Sequence, residues 1–96
     1  MHVISHKKLK DFYQKHDQAE NAMNAWYKII GRSDFDNFTE LRKIFPSADK
    51  VGKFIVFNVG GNKYRIITII HFNRKMCYIR DVLTHKEYDL GKWKEE

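Results

Sequence analysis

The chain has 96 residues, 43% hydrophobic and 15% aromatic, with one proline, five glycines and a formal charge of +6. That length predicts one domain over residues 1–96, burying about 60–65% of its unfolded surface with no room for a second core, and the composition excludes a disordered chain. Cys77 is the only cysteine, which excludes an internal disulfide and a cysteine-built metal site.

"MHVISHKKLK" lacks the apolar core of a signal peptide, and no apolar run approaches the roughly 18 residues of a membrane helix. The expected location is the cytoplasm, with no membrane partner. "HVIS" reads as a short first strand, and Ser5 stands where a cap for the next helix belongs. Leu9, Phe12, Tyr13 and His16 then fall at helical spacing, with lysines mostly off that stripe. Asp17 with Glu20 has capping-box spacing, and Ala19, Ala22, Met23, Trp26, Ile29 and Ile30 trace an apolar face up to Gly31, the expected stop. A shorter helix is announced by Asn37 with Glu40, carries Phe38, Leu41, Ile44 and Phe45 inward, and ends at Pro46.

"SADKVG" reads as a loop into a long β-hairpin, "KFIVFNVGGNKYRIITIIHF", in which two runs of β-branched and aromatic residues flank a glycine breaker. A two-residue turn at Gly60 and Gly61 pairs Asn58 with Lys63 and Val56 with Arg65. One face then carries Ile55, Phe57, Tyr64, Ile66, Thr68, Ile70 and Phe72 toward the helices, and the other gathers Asn58, Lys63 and Arg65 near the turn. "MCYIRDVLT" is the next strand. An even connection puts Arg80 on Arg65's face with Tyr78 and Val82, and avoids an unpaired guanidinium in the core. Cys77, inside this strand, reads as a buried small hydrophobe. "HKEYD" follows as a loop or one helical turn, and the tail "LGKWKEE" has no clear period. The fold class is α+β: an antiparallel sheet with two or three N-terminal helices on one face, in the order β-α-α-(α)-β-β-β.

Charge is unevenly distributed along this order. From Lys50 to Arg80 there are seven basic residues (Lys50, Lys53, Lys63, Arg65, Arg74, Lys75, Arg80) and no acidic one. A basic sheet suggests a polyanion, because Lys and Arg gain affinity by releasing phosphate counterions. There is no phosphate-binding glycine loop ending in Lys-Ser/Thr, and the five histidines show no zinc spacing; metal ligands and cofactors are not expected. RNA supplies its own nucleophile, the 2′-OH, so metal-free cleavage needs only a base, a cationic clamp and an acid. Arg65 and Arg80 are candidates for the clamp, with Lys53 and Lys63 extending it. His85 is the natural titrating group, while Tyr88, ordinarily near 10, would need cationic neighbours to lower it before acting as a base. The same basic face also suits a non-catalytic RNA- or ribosome-binding module, or a dock for an acidic partner segment.

"FNVGGNKYRI" followed by "CYIRDVLTHKEYD", with "HVIS" and "LRKIFPSAD" in the same order upstream, resembles the HigB family of bacterial toxins, within the RelE-like group. The resemblance implies a small RelE-like fold and a metal-independent mRNA interferase acting on translated messages at the ribosome. It also implies neutralisation by a HigA-like helix-turn-helix antitoxin, with operator DNA touched only through that complex. Carried over by residue, it marks Arg65, Arg80, His85 and Tyr88 as catalytic candidates, beside Lys53, Asn58, Lys63 and Lys86 as RNA-binding candidates.

Overall fold

Helical spacing of apolar residues sets the first layer. In the computed structural model, which describes residues 1–94, strand β1 (His2–Ile4) leads into helix α1 (His6–Lys15), which buries Leu9 and Phe12. A 3-10 turn (Asp17–Ala19) connects it to α2 (Glu20–Arg32), whose Met23, Trp26 and Ile30 lie on one buried stripe. Ser5 does stand at the start of α1, but in a left-handed conformation and without a side-chain cap bond. Asp17 opens the 3-10 turn instead of capping α2, and α2 runs one residue past Gly31. Helix α3 (Phe38–Ile44) begins as expected, with Asn37 Oδ1 accepting from the Glu40 amide at 2.9 Å. Of the four apolar residues expected inward, Ile44 is 54% exposed, a correction to that face.

The second layer is a five-stranded sheet of order β1-β5-β4-β3-β2, comprising β2 (Asp49–Val51), β3 (Phe54–Val59), β4 (Tyr64–His71) and β5 (Met76–Thr84) besides β1. Its pairings are antiparallel except for β1, which runs parallel to β5 as the edge strand. The sheet is therefore mixed, where a wholly antiparallel one was expected. β2 comes from "DKV", inside the segment read as a loop; nothing apolar in it but Val51 announces a strand.

The hairpin register is two residues off the expected one: Asn58 pairs with Arg65, not Lys63, and Val59 with Tyr64. The turn is four residues long because Gly60, Gly61 and Asn62 all take positive φ. A shift of two preserves each side chain's face, so Ile55, Phe57, Tyr64 and Ile66 still enter the core with Val59, Cys77 and Ile79. Trp26 meets Phe57 edge-on at 5.3 Å. Cys77 is fully buried, and burial pushes its thiol up to about 12. The connection to β5, Phe72–Lys75, is even, and Tyr78 lies opposite Ile69 on the outer face. Between Thr68↔Ile79 and Ile67↔Asp81 the register slips, leaving Arg80 as an extra residue in a bulge. Arg80 stays outside, over the Phe54 ring at 4.9 Å, but Val82 is turned into the core cluster, against expectation.

The outer face is not bare. Helix α4 (His85–Leu90), held by a complete Thr84/Glu87 capping box, and a 3-10 turn (Lys92–Lys94) bring Trp93 onto Phe54, Val56 and Ile67. The tail without a clear period thus supplies the centre of a second small core; its last two residues, Glu95 and Glu96, lie outside the described residues.

Candidate active site

Thr84 ends β5 directly beside Tyr64, and the α4 cap reverses the chain so that its first turn crosses the end of the hairpin. The His85 amide donates to the Lys63 carbonyl at 2.9 Å, which fixes α4 to the turn. Arg65, only 7% exposed, sits beneath it. Its Nη1 donates to the Asn62 and Tyr64 carbonyls at 2.9 and 3.2 Å, its Nη2 lies 3.0 Å from His85 Nδ1, and its Cζ is 5.0 Å from the centre of the Tyr88 ring. These partners are carbonyls, an imidazole and a π face, which orient the guanidinium without cancelling its charge.

The His85 tautomer follows from this contact. A guanidinium has only donors, so Nδ1 is the acceptor and the ring proton is on Nε2, where it donates to Asp89 Oδ2 at 3.0 Å. Tyr88 has a different environment. Burial, then the Asp49 carboxylate, push its phenol above the ordinary range; Arg65 opposes them and Asp89 adds to them. Arg65 is the cationic neighbour sought for a tyrosine base, but the net direction is upward, so Tyr88 holds its proton.

Arg65, Tyr88 and Asn58 line a groove of about 310 Å³ with Arg42, Pro46, Ser47, Ala48, Asp49 and Val56. Asn58 is tied there by Nδ2 to the Ser47 carbonyl at 3.3 Å. Lys63 and Lys86 are exposed on either side of His85 in the turn and in α4. Arg80 and Lys53 are elsewhere: both cations lie over Phe54, at 4.9 and 5.5 Å. Lys53 and Asn58 are separated by the length of β3, about 17 Å at strand rise. Tyr88 stacks on Trp93 at 4.9 Å and Trp93 meets Phe54 at 5.9 Å. The two arginines are therefore joined by a file of three rings, not by contact with one point.

Sequence reasoning missed Arg42, Asp49 and Asp89. Asp89 had a legible signal, its i, i+4 spacing from His85; Arg42 and Asp49 reach the groove through tertiary packing alone. Lys75, one of the seven basic residues, is held within the chain: its Nζ is bound by Asp36 at 2.6 Å, Asp34 at 3.0 Å and the Phe35 carbonyl at 3.0 Å. Those carboxylates, Asp36 first, raise its pKa. Among the described residues no three or more His, Cys, Asp or Glu side chains cluster as metal ligands, and no helix is long and apolar enough to cross a membrane.

A helix-backed sheet with a buried arginine, an imidazole and a phenol at one groove fits a small toxin of the RelE-like group. Residues 19–91 match the model of the HigB toxin family, the RelE-like toxic component of a toxin-antitoxin system. The chain belongs to that family. It is 41% identical over 92 residues to the mRNA interferase toxin HigB of Escherichia coli (strain K12), covering 93% of this chain and 88% of that protein. The mRNA interferase HigB of Shigella flexneri is similar to the same extent, and that of Escherichia coli O6:H1 is 33% identical, covering 93% of this chain and 89% of its own length. Membership implies a cognate antitoxin as partner.

Proposed function

We propose that the chain is a metal-independent mRNA interferase of the cytoplasm, cutting messages on the ribosome through the groove between α4 and the segment joining α3 to β2. The observation that carries this reading is the buried Arg65 guanidinium, bonded to His85 Nδ1 at 3.0 Å. Arg65 stabilises the charge that grows on the phosphorane. His85 Nδ1 is the general base for the 2′-OH. Tyr88, with its proton retained, is the acid for the departing 5′ oxygen, a role the upward shift suits and a base role does not. Asn58, Lys63 and Lys86 hold the RNA near this point; Arg80 and Lys53, at the far end of the ring file, hold a neighbouring stretch of the strand. The partner antitoxin is of the HigA-like helix-turn-helix type, and operator DNA is reached only through that complex.

The test is to induce wild type, His85→Ala and Arg65→Ala in bacteria and map mRNA 5′ ends, then repeat cleavage with purified message with and without ribosomes. New ends with the wild type alone, and only when ribosomes are present, are expected; intact message with soluble wild-type protein rules the reading out. A non-catalytic RNA-binding module, supported by the same basic face, predicts salt-sensitive RNA retention with no new ends.

A further inference from the structure

We propose that His85 is a gated base: Asp89 is a positioning residue that fixes its proton on Nε2, and Arg65 occupies Nδ1 until an RNA phosphate draws the guanidinium away. This rests on the reading of His85 as the general base.

Both ring nitrogens of His85 are engaged, Nδ1 by Arg65 Nη2 and Nε2 by Asp89 Oδ2, each at 3.0 Å. In that state the imidazole has no lone pair to offer. The guanidinium is the more mobile claim on it, because an RNA phosphate offers it an opposite charge and two acceptor oxygens, while a neutral imidazole offers one acceptor and no charge. When phosphate takes the guanidinium, Nδ1 is released at the reacting centre, with its tautomer already set. Nδ1 then takes the 2′ proton as the 2′ oxygen bonds to phosphorus. The bond from phosphorus to the 5′ oxygen breaks, its electron pair leaves on that oxygen, and the Tyr88 phenol supplies the proton. The imidazolium so formed keeps its Nε2 hydrogen on Asp89, whose carboxylate offsets the new positive charge.

The competing account treats His85 and Asp89 as an ordinary i, i+4 pair on α4. Both side chains are more than half exposed, where such a pair contributes little to stability; an effect confined to chemistry therefore separates the two accounts. Single-turnover cleavage of ribosome-bound message is measured for wild type, Asp89→Ala, Asp89→Glu and His85→Ala. Asp89→Ala is expected to slow the cleavage step by about 10- to 100-fold, the scale seen when a metal-bound histidine loses the carboxylate that orients it. Its half-saturating ribosome concentration should stay within about twofold of wild type, as a loss confined to the chemical step requires, and Asp89→Glu should recover most of the rate. Independently of any variant, ring-nitrogen NMR of the wild type should show the Nε2 proton at rest, and Nδ1 should lose its hydrogen bond on adding a short oligonucleotide without 2′-hydroxyls. A wild-type rate in Asp89→Ala beside an inactive His85→Ala overturns the gate alone, as does an Nδ1 signal unmoved by bound oligonucleotide. A fully active His85→Ala overturns the base assignment and the gate together.

Discussion

At the scale of single residues, the groove depends on geometry more than on charge count. Arg65 makes four separate contacts with a planar, forked group that lysine cannot reproduce. Arg65→Lys is accordingly expected to keep message binding nearly intact while slowing cleavage by about 100-fold, the scale of one lost transition-state donor; a paired binding and cleavage assay reads both. His6 makes a different prediction, about stability. It stacks on Tyr27 at 3.8 Å with Nε2 buried and lacking a hydrogen-bond partner among the described residues, and burial, then Lys10, hold it below its ordinary value of 6.5. As pH falls below 6.5 the unfolded chain takes up the proton before the folded one, so stability that is full above 6.5 is lost toward the lower folded value. Melting temperatures at pH 7.5 and 5.5 should fall less in His6→Phe, which keeps the stack, than in wild type; an equal fall would show that His6 carries no such linkage.

At the scale of elements, the turn and the tail hold the groove's parts in register. A Cβ at Gly60, where φ is +64, would stand 2.9 Å from the Tyr64 ring, whereas one at Gly61, φ +62, meets nothing within 4 Å. Both alanine variants bear backbone strain of about 1–3 kcal/mol, and Gly60→Ala adds the clash with a buried ring. Denaturant unfolding should rank Gly60→Ala below Gly61→Ala in stability. Trp93, 5% exposed, carries the outer core; Trp93→Ala should cost about 3 kcal/mol and slow cleavage as well, since Tyr88 stacks on that ring and its carbonyl oxygen accepts from the indole N–H at 2.9 Å. Loss of stability without any loss of cleavage would detach the tail from the site.

The same elements show what a sequence can disclose. Alternation in β3 and β4 identified the core face because a two-residue slip leaves every side chain on its side. Turn length was hidden, since it depended on Asn62 joining the two glycines at positive φ. The cost of burying Arg80 pointed to the correct face, yet the bulge that delivers it, and turns Val82 inward, follows from strand twist and packing. Trp93 had no periodic neighbours to announce it; its core partners Phe54, Val56 and Ile67 lie on β3 and β4, far away in the chain. The motif "THKEYD" carried His85 and Tyr88 visibly, but not which nitrogen bears the proton.

Across the whole molecule, the sheet divides two environments: helices α1, α2 and α3 on one side, and α4 with the groove on the other. Its basic excess is also divided, because Lys75 is already held by Asp34 and Asp36. Four cations, Arg42, Lys63, Arg65 and Lys86, lie at or beside the groove. For single-stranded RNA that number predicts a slope of log affinity against log salt of about −3 at most. Lys75→Ala should leave this slope unchanged while lowering stability; a shallower slope in that variant would put Lys75 on the RNA path after all.

The parallel pairing of β1 with β5 carries a consequence for synthesis. The partners of His2–Ile4, Met76–Tyr78, are made more than seventy positions later in the chain. At ordinary elongation rates the first strand waits on the order of ten seconds for the strand that completes its ladder. The groove waits longer still, because His85, Tyr88 and the supporting Trp93 emerge after β5. A growing chain therefore has neither the β1–β5 ladder nor the supported groove until Trp93 has been made.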